Sequence, residues 1–319
     1  MTDVLVNPAA VLLGTHNAVL TGRGVTRHTA HFTGPLSIKG VMAGSATWET
    51  AAGRYELVPG TVLLLNDGEE YTLTIDSLQP VETFNFFFER GFVEDAYRVT
   101  MSSSAALLDA PPPAPMRFAE RLHFDVPLVA ELQRAHARLK NGEPLAESFY
   151  AAALQLAQTQ ADVSARIARL PALRSSTREE LARRVGIATS FLHANLERRV
   201  TIAEAAREAC LSPFHFHRLF TAFHDVTPHR YVTQLRLKRA QALLRTTTRD
   251  ILDIALGCGF ESLGSFTSLF TRTFGTPPAR FRKNEEARAD ALTLRCAYER
   301  ADGRDQGRGS GEGGDAPRK

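Results

Sequence analysis

Between residues 15 and 100, apolar positions alternate with polar ones or gather in short β-rich runs. Leu36–Val41, Tyr55–Val58, Thr61–Leu65, Tyr71–Ile75 and Val81–Phe88 are such runs. Ala52-Gly53, Pro59-Gly60 and Asp67-Gly68 punctuate them. The spacing predicts an all-β unit of the sandwich or barrel type, such as a jelly roll. A period of two places Phe84, Phe86 and Phe88 on one face of the last run. Such a face fills a core, the default, or lines a ligand cavity. Met101–Pro115 has three serines and four prolines and reads as a loop.

Past this loop the period becomes helical. Asp125 is placed to cap a helix running to Lys140, with Leu128, Leu132, Ala135 and Leu139 on one side and Asn141-Gly142 as its stop. A second helix starts near Pro144 and carries Leu145, Phe149, Ala152 and Leu156 towards Ile167. The two form an αα-hairpin that packs on the β unit or makes a dimer contact. A linker follows at 171–177. A capping box, Thr177 with Glu180 or Ser176 with Glu179, then opens a helix through Leu181, Val185, Ala188 and Leu192 to about Arg198.

Ser212 and Pro213 are a strong helix start, a hydroxyl N-cap before proline at the first helical position. Phe216, Leu219, Phe220 and Phe223 follow at i, i+3, i+4 and i+7. The opposite face carries Phe214, Arg218 and Thr221, with His217 at its flank. An aromatic ring, a guanidinium, a hydroxyl and an imidazole are groups that read base edges in a major groove; a mixed surface helix is the plain alternative. Periodicity fades after about 287, and 303–319, rich in glycine and charge, are expected to be disordered.

The 319 residues, 44% of them hydrophobic, suit two domains with sizeable cores. No apolar run is long enough for a transmembrane helix, and the N-terminus has no basic signal region. Three widely spaced cysteines, Cys210, Cys258 and Cys296, point to a reducing cytoplasm. The overall charge of +3 hides an asymmetry. Residues 1–125 hold 8 basic and 14 acidic side chains, and residues 178–284 hold 17 and 9. A polyanionic partner is therefore expected for the C-terminal part alone.

That part also repeats. Thr201–Ser212 is a short helix and turn before the helix just described, and Ile251–Ser262 is a second before Leu263–Phe274. Phe216, Leu219 and Phe220 recur as Phe266, Leu269 and Phe270, and Thr227-Pro228 as Pro277-Pro278. A longer helix from about Pro228 to Leu244 joins the two units.

On Leu211-Ser-Pro-x-His-Phe-x-Arg-Leu-Phe220, Thr227-Pro228, Leu235-Arg-Leu-x-Arg-Ala240, Asp253-Ile-Ala-x-x-Cys-Gly-Phe260, Phe266-Thr-x-x-Phe270 and Phe274-Gly-x-x-Pro278, residues 178–286 resemble the DNA-binding domain of the AraC/XylS family of transcription regulators. The β unit, residues 1–124, with the hairpin at 125–170, looks like the cupin-type sensor and dimerisation domain common in that family. The resemblance implies a cytoplasmic, homodimeric regulator that binds double-stranded DNA, and admits RNA polymerase and a small-molecule effector as further partners. It implies base contacts by Phe214, His217 and Arg218 in the first recognition helix, and by Leu263, Gly264, Thr267 and Ser268 in the second. Ser212 and Ser262 at the helix starts, with Thr221 and Thr271, complete the expected DNA-facing set.

Two departures matter. Ser268, Leu263 and Gly264 stand where the family often has a long donor and polar amides, and small residues cannot make bidentate base contacts, worth about 1–3 kcal/mol each. Direct readout should then lean on the first unit. Cys210 stands in a turn that usually has glycine, which Gly259 keeps in the second unit.

Competing chemistry is sparse. His215 and His217 point about 200° apart on a helix and cannot chelate one ion. In the β unit His28 and His31 are the only close pair, without the His-x-His, Glu and distal His of a metal cupin. No phosphate-binding glycine loop, nucleophile elbow or paired catalytic carboxylate stands out, so neither a cofactor nor an enzymatic activity is expected. A cupin-type enzyme or small-molecule-binding module with secondary DNA binding is the alternative. Aromatic density at Trp48, Tyr55, Tyr71, Phe84, Phe86 and Phe88, with His31 and Asn85 as polar contributors, marks a candidate ligand site.

Overall fold

The structure is a computed structural model and describes residues 4–101, 115–124, 126–170 and 174–288. The expected tail, most of the expected loop and residues 171–173 of the expected linker lie outside these residues; the last three linker residues, 175–177, belong to a helix instead. By packing, the chain divides into two compact units, Met1–Leu263 and Gly264–Lys319.

The N-terminal part is β-rich. Its strands are β1 (Leu5–Val6), β2 (Ala18–Gly34), β3 (Ser37–Ala43), β4 (Ala46–Thr50), β5 (Gly53–Leu57), β6 (Thr61–Leu65), β7 (Glu69–Phe87) and β8 (Leu122–Phe124). The sheet runs β1-β2-β7-β3-β6-β8, and the β4–β5 hairpin attaches to β7. Tyr71–Ile75 and Val81–Phe88, predicted as two strands, belong to the single strand β7. Opposite the shift between Gly24 and Thr26 of β2, residues 77–80 swell out of the ladder. Pro80 has no N–H to donate there, and Leu78 is 98% exposed. Helix α1 (Phe92–Met101) also corrects the all-strand expectation. Gly91 turns the chain with φ +88°, and Phe92, Val93, Ala96 and Tyr97 then pack one side of the helix into the core.

The Phe84, Phe86 and Phe88 face is covered by α2 (Pro127–Lys140) and α3 (Ala146–Ala168). Phe86 stacks on Phe149 at 4.1 Å between centroids, and Phe88 meets the same ring edge-on at 5.5 Å. The hairpin thus packs on the sheet, and the three phenylalanines are core. Asp125, the expected cap of α2, lies outside the described residues; Val126 is the N-cap and Pro127 begins the helix. On the other face Lys39 is buried, its Nζ 3.1 Å from Tyr71 Oη and 3.6 Å from the Phe87 ring centroid. Burial holds its pKa well below the lysine range.

The rest is helical: α4 (Ser175–Ala194), α5 (Ile202–Glu208), α6 (Pro213–His224), α7 (Pro228–Thr246), α8 (Ile251–Gly257), α9 (Leu263–Phe274) and α10 (278–288). The capping box predicted near Thr177 does not form. Helix α4 starts at Ser175 without a side-chain cap and stops at Ala194, short of Arg198, with Asn195 as its C-cap. The box is instead at Thr201 and Glu204, opening α5. Val185, Ala188 and Leu192 of α4, Ala205 and Ala206 of α5, and Phe216, Leu219, Phe220 and Phe223 of α6 share one core.

Two polar seams join the sheet to these helices within the first unit. In one, the Leu122 N–H of β8 donates to His193 Nδ1 at 3.2 Å, so His193 Nε2 carries the proton and donates to Tyr231 Oη at 2.8 Å. Thr189 spends its hydroxyl proton on the Val185 carbonyl, so it accepts from His224 Nε2 at 3.0 Å. Glu120 Oε1 lies 3.8 Å from His224 Nδ1 and 3.1 Å from Arg166 Nη1. Burial pulls His193 down to about 3 and His224 down to about 4. Burial would raise Glu120, but His193, His224, His123 and Arg166 outweigh it and hold the carboxyl below its ordinary range. At neutral pH these histidines are uncharged, and Arg166 is the effective partner. In the other seam, Glu56 of β5 accepts from Arg239 of α7 at 3.1 Å and from Arg249 at 2.5 Å, and Arg239 also pairs with Glu197 at 2.7 Å.

Candidate nucleic-acid interface

Helix α6 is set by its ends. Ser212 takes extended backbone at φ −69°, ψ 150°, and its Oγ accepts from the His215 N–H at 3.3 Å. Pro213 at the first position loses no hydrogen bond by lacking its own N–H. The buried stripe Phe216, Leu219, Phe220 and Phe223 fixes the rotation of the helix about its axis. Phe214, 79% exposed, His217 and Arg218 therefore reach solvent. Thr221 is half-buried, and its hydroxyl proton goes to the His217 carbonyl at 2.8 Å, which leaves it an acceptor only. Arg218 makes no ion pair among the described residues. An exposed guanidinium held on a rigid helix is free for a phosphate or a base edge.

The turn before α6 closes at Cys210 in the left-handed region, φ +51°. The Cys210 N–H donates to the Arg207 carbonyl at 3.0 Å, and the Leu211 N–H to the Ala206 carbonyl at 2.9 Å. This is a Schellman cap. The turn after α8 repeats it: Gly259, φ +83°, donates to Leu256 at 2.9 Å and Phe260 donates to Ala255 at 3.0 Å. Gly259 is needed twice over, since a Cβ there would lie 2.5 Å from the Leu196 carbonyl oxygen. Cys210 is exposed and strained. Cys210→Gly is expected to stabilise the chain by about 1 kcal/mol, read as a higher denaturant midpoint, with Cys210→Ser close to neutral. Equal midpoints for the two variants would contradict the strain.

In α9, Leu263, Gly264 and Ser268 are exposed, as is Ser262 before it, and Thr267 and Thr271 are half-buried. Phe266 and Phe270 are buried, but Leu269 and Phe274 are only half-buried, a narrower stripe than the sequence predicts. Phe270 packs edge-on against Phe281 of α10 at 5.6 Å. No atom stands within 4 Å of where a Gly264 Cβ would be, so this exposed position is open.

The aromatic set proposed as a ligand site does not converge on one cavity. Phe84 and Phe86 lie under the hairpin, and Trp48 and Tyr55 pair across β4 and β5, fully buried. His31 projects into solvent at a sheet irregularity, φ +51°, and pairs with Glu70 at 2.9 Å. Among the described residues no group of three or more His, Cys, Asp or Glu could hold a metal ion. Sequence reasoning missed Glu56, Arg239 and the His193–Glu120–His224 group, whose members lie far apart along the chain.

Residues 205–284 match the family model of a helix-turn-helix domain, and residues 23–157 match that of an AraC-like ligand binding domain. The chain is similar to the probable transcription factor PqrA of Proteus vulgaris, 38% identical over 96 residues, 30% of this chain and 79% of that protein. It is 35% identical over 95 residues to the HTH-type transcriptional regulator ArgR of Pseudomonas aeruginosa, a match covering 30% of this chain and only 29% of ArgR. Among solved structures, an AraC-type transcriptional regulator from Chromobacterium violaceum aligns at 29% identity and TM-score 0.31, covering 35% of this chain and 96% of that one.

Proposed function

The chain belongs to the AraC-type family of helix-turn-helix transcription regulators, and from that premise we propose that it is a sequence-specific DNA-binding regulator that responds to an effector. The observation that carries the reading is the outer face of α6, where Phe214, His217 and Arg218 are exposed together over a buried stripe. Arginine and lysine side chains of residues 178–286 bind phosphates with salt-dependent affinity. In this reading α6 reads one major-groove segment, with Ser212 and Thr221 beside it. Helix α9 offers Ser262, Leu263, Gly264, Thr267, Ser268 and Thr271 to a second segment, mainly through phosphate contacts and tolerance of DNA shape.

The β unit and hairpin would set the oligomeric state and sense the effector. A homodimer is supported by the exposed Tyr150 and Leu154 on α3. A binding protein rather than an enzyme is supported by the names of PqrA, a probable transcription factor, and ArgR, a transcriptional regulator. No helix among the described residues is long and apolar enough to cross a membrane, and a cytoplasmic location is proposed on the strength of the DNA-binding role.

Footprinting with the purified chain on genomic fragments tests the reading. Once an operator is found, Arg218→Ala should weaken specific binding by about 1–3 kcal/mol and relax base preference. Ser268→Ala should change it by only a few tenths. Equal losses from both would sink the unequal division of labour, and no protected site under any condition would sink the regulator.

A further inference from the structure

Phe214 is the one phenylalanine of α6 that the fold does not use. Phe216, Phe220 and Phe223 are buried, whereas Phe214 is the only exposed phenylalanine among the described residues. It makes no ring contact among them. Its place is nevertheless fixed. Ser212 caps the helix and Pro213 stiffens its first turn, so the ring stands on the second helical residue with only its own two torsions free.

Arg218 stands one turn further on, exposed and without an ion-pair partner among the described residues. The two residues lie about 40° apart around the helix axis, with Cβ atoms about 6 Å apart. That separation is under two steps of a base stack, at about 3.4 Å each. The second unit has no such pair. Helix α9 carries Gly264 and Ser268 at the corresponding places, and the space beside Gly264 is open.

A phenyl ring has no hydrogen-bond donor or acceptor. Of the groups that base pairs present in the major groove, only the C5 methyl of thymine suits it. A guanidinium on the same face suits guanine O6 and N7. The surplus of basic over acidic side chains in residues 178–284, 17 against 9, favours DNA over an apolar protein surface as the partner of this face.

We propose that α6 recognises a 5-methylpyrimidine within two base pairs of a guanine, Phe214 covering the methyl group and Arg218 taking the guanine. This readout rests on the proposed function and adds to it the chemistry of the bases. Only the methyl group matters to Phe214, so 5-methylcytosine at that place should serve better than cytosine, and cytosine methylation there would strengthen binding.

Sites selected by the full chain from random duplexes, followed by fluorescence anisotropy on single-base variants, decide the matter. Replacing a thymine by uracil removes one methyl group and nothing else. One such replacement, within two base pairs of a guanine, should weaken wild-type binding about fourfold, the factor for burying one methyl group. At the same position 5-methylcytosine should bind about fourfold more tightly than cytosine. Phe214→Ala should bring both ratios to one with an unchanged melting temperature, since the ring supports nothing in the fold. Replacing the neighbouring guanine by 7-deazaguanine should weaken the wild type and leave Arg218→Ala unaffected. Wild-type binding indifferent to every thymine-to-uracil replacement, or ratios that survive in Phe214→Ala, would overturn the methyl contact and leave the regulator in place. An equal 7-deazaguanine effect in wild type and Arg218→Ala would overturn the arginine's part. A chain that selects no sequence at all would refute the regulator, and the readout with it.

Discussion

On acidification from pH 7 the protein is expected to lose stability steeply between about pH 6.5 and pH 4. The cause is the seam between β8, α4 and α6. An unfolded histidine takes its proton near pH 6.5, whereas His224 in the fold waits until about 4 and His193 until about 3. Between those values the unfolded chain binds more protons, so stability is complete above pH 6.5 and is lost as pH falls. Each histidine contributes a slope of about 1.4 kcal/mol per pH unit in that window. His123, also lowered by burial, acts in the same direction. Glu120 adds to the loss at lower pH, because a carboxyl held below its ordinary range contributes stability that disappears as it is protonated. Geometry agrees with the sign. A proton on His193 Nδ1 would face the Leu122 N–H that now donates to it at 3.2 Å, replacing a hydrogen bond with two opposed donors. Denaturant midpoints across this range should trace the slope, and His193→Gln should flatten it. A midpoint unchanged from pH 7 to pH 5 would show that the histidines are not buried as described.

Glu56→Ala is expected to destabilise the first unit by about 3 kcal/mol. Glu56 is the shared acceptor of two arginines, 3.1 Å from Arg239 and 2.5 Å from Arg249. Burial would raise its carboxyl; hydrogen bonding and charge from Arg249 and Arg239 bring it below the ordinary range instead. Removing it leaves Arg239, whose side chain is 7% exposed, with Glu197 alone. A buried charge deprived of a partner costs about 3–5 kcal/mol, and the surviving pair keeps the expected value at the lower end. Arg239→Met should cost far less, because it withdraws the buried charge and leaves Glu56 paired with Arg249. Urea unfolding of the three proteins ranks them: wild type, Arg239→Met, then Glu56→Ala. The reverse order of the two variants would mean that burial of the arginine, and not its pairing, dominates.

The helices of the C-terminal part were legible because their limits are local. Ser212-Pro213 and Thr227-Pro228 start α6 and α7 where the sequence places them, and the apolar stripe of α6 is buried as its spacing requires. Local signals failed where the decision is made at a distance. The period-2 pattern groups Phe84, Phe86 and Phe88 correctly but does not say which layer covers them; Phe149, more than sixty residues on, does. The interruption at 77–80 reads as an end of strand because nothing local shows that β2 resumes pairing beyond it. The Thr177 capping signal lost to a helix that begins two residues earlier, at Ser175. Cys210 was legible as an anomaly but not as a solution: the Schellman bonds, identical in the two turns, outweigh the strain of the side chain. Neither seam could be found from the sequence, since Glu56 and Arg249 are 193 residues apart and Leu122 and His193 are 71 apart.

The single tryptophan has a spectroscopic consequence. Trp48 is 1% exposed and sits between Tyr55 and Leu73 in the β-rich part. Its emission therefore follows the unfolding of that part, whereas far-ultraviolet circular dichroism is dominated by α2 to α10. Coincident melting curves by the two signals would make the seams strong enough for cooperative loss of sheet and helices; separate curves would give each transition its own reporter without any added label.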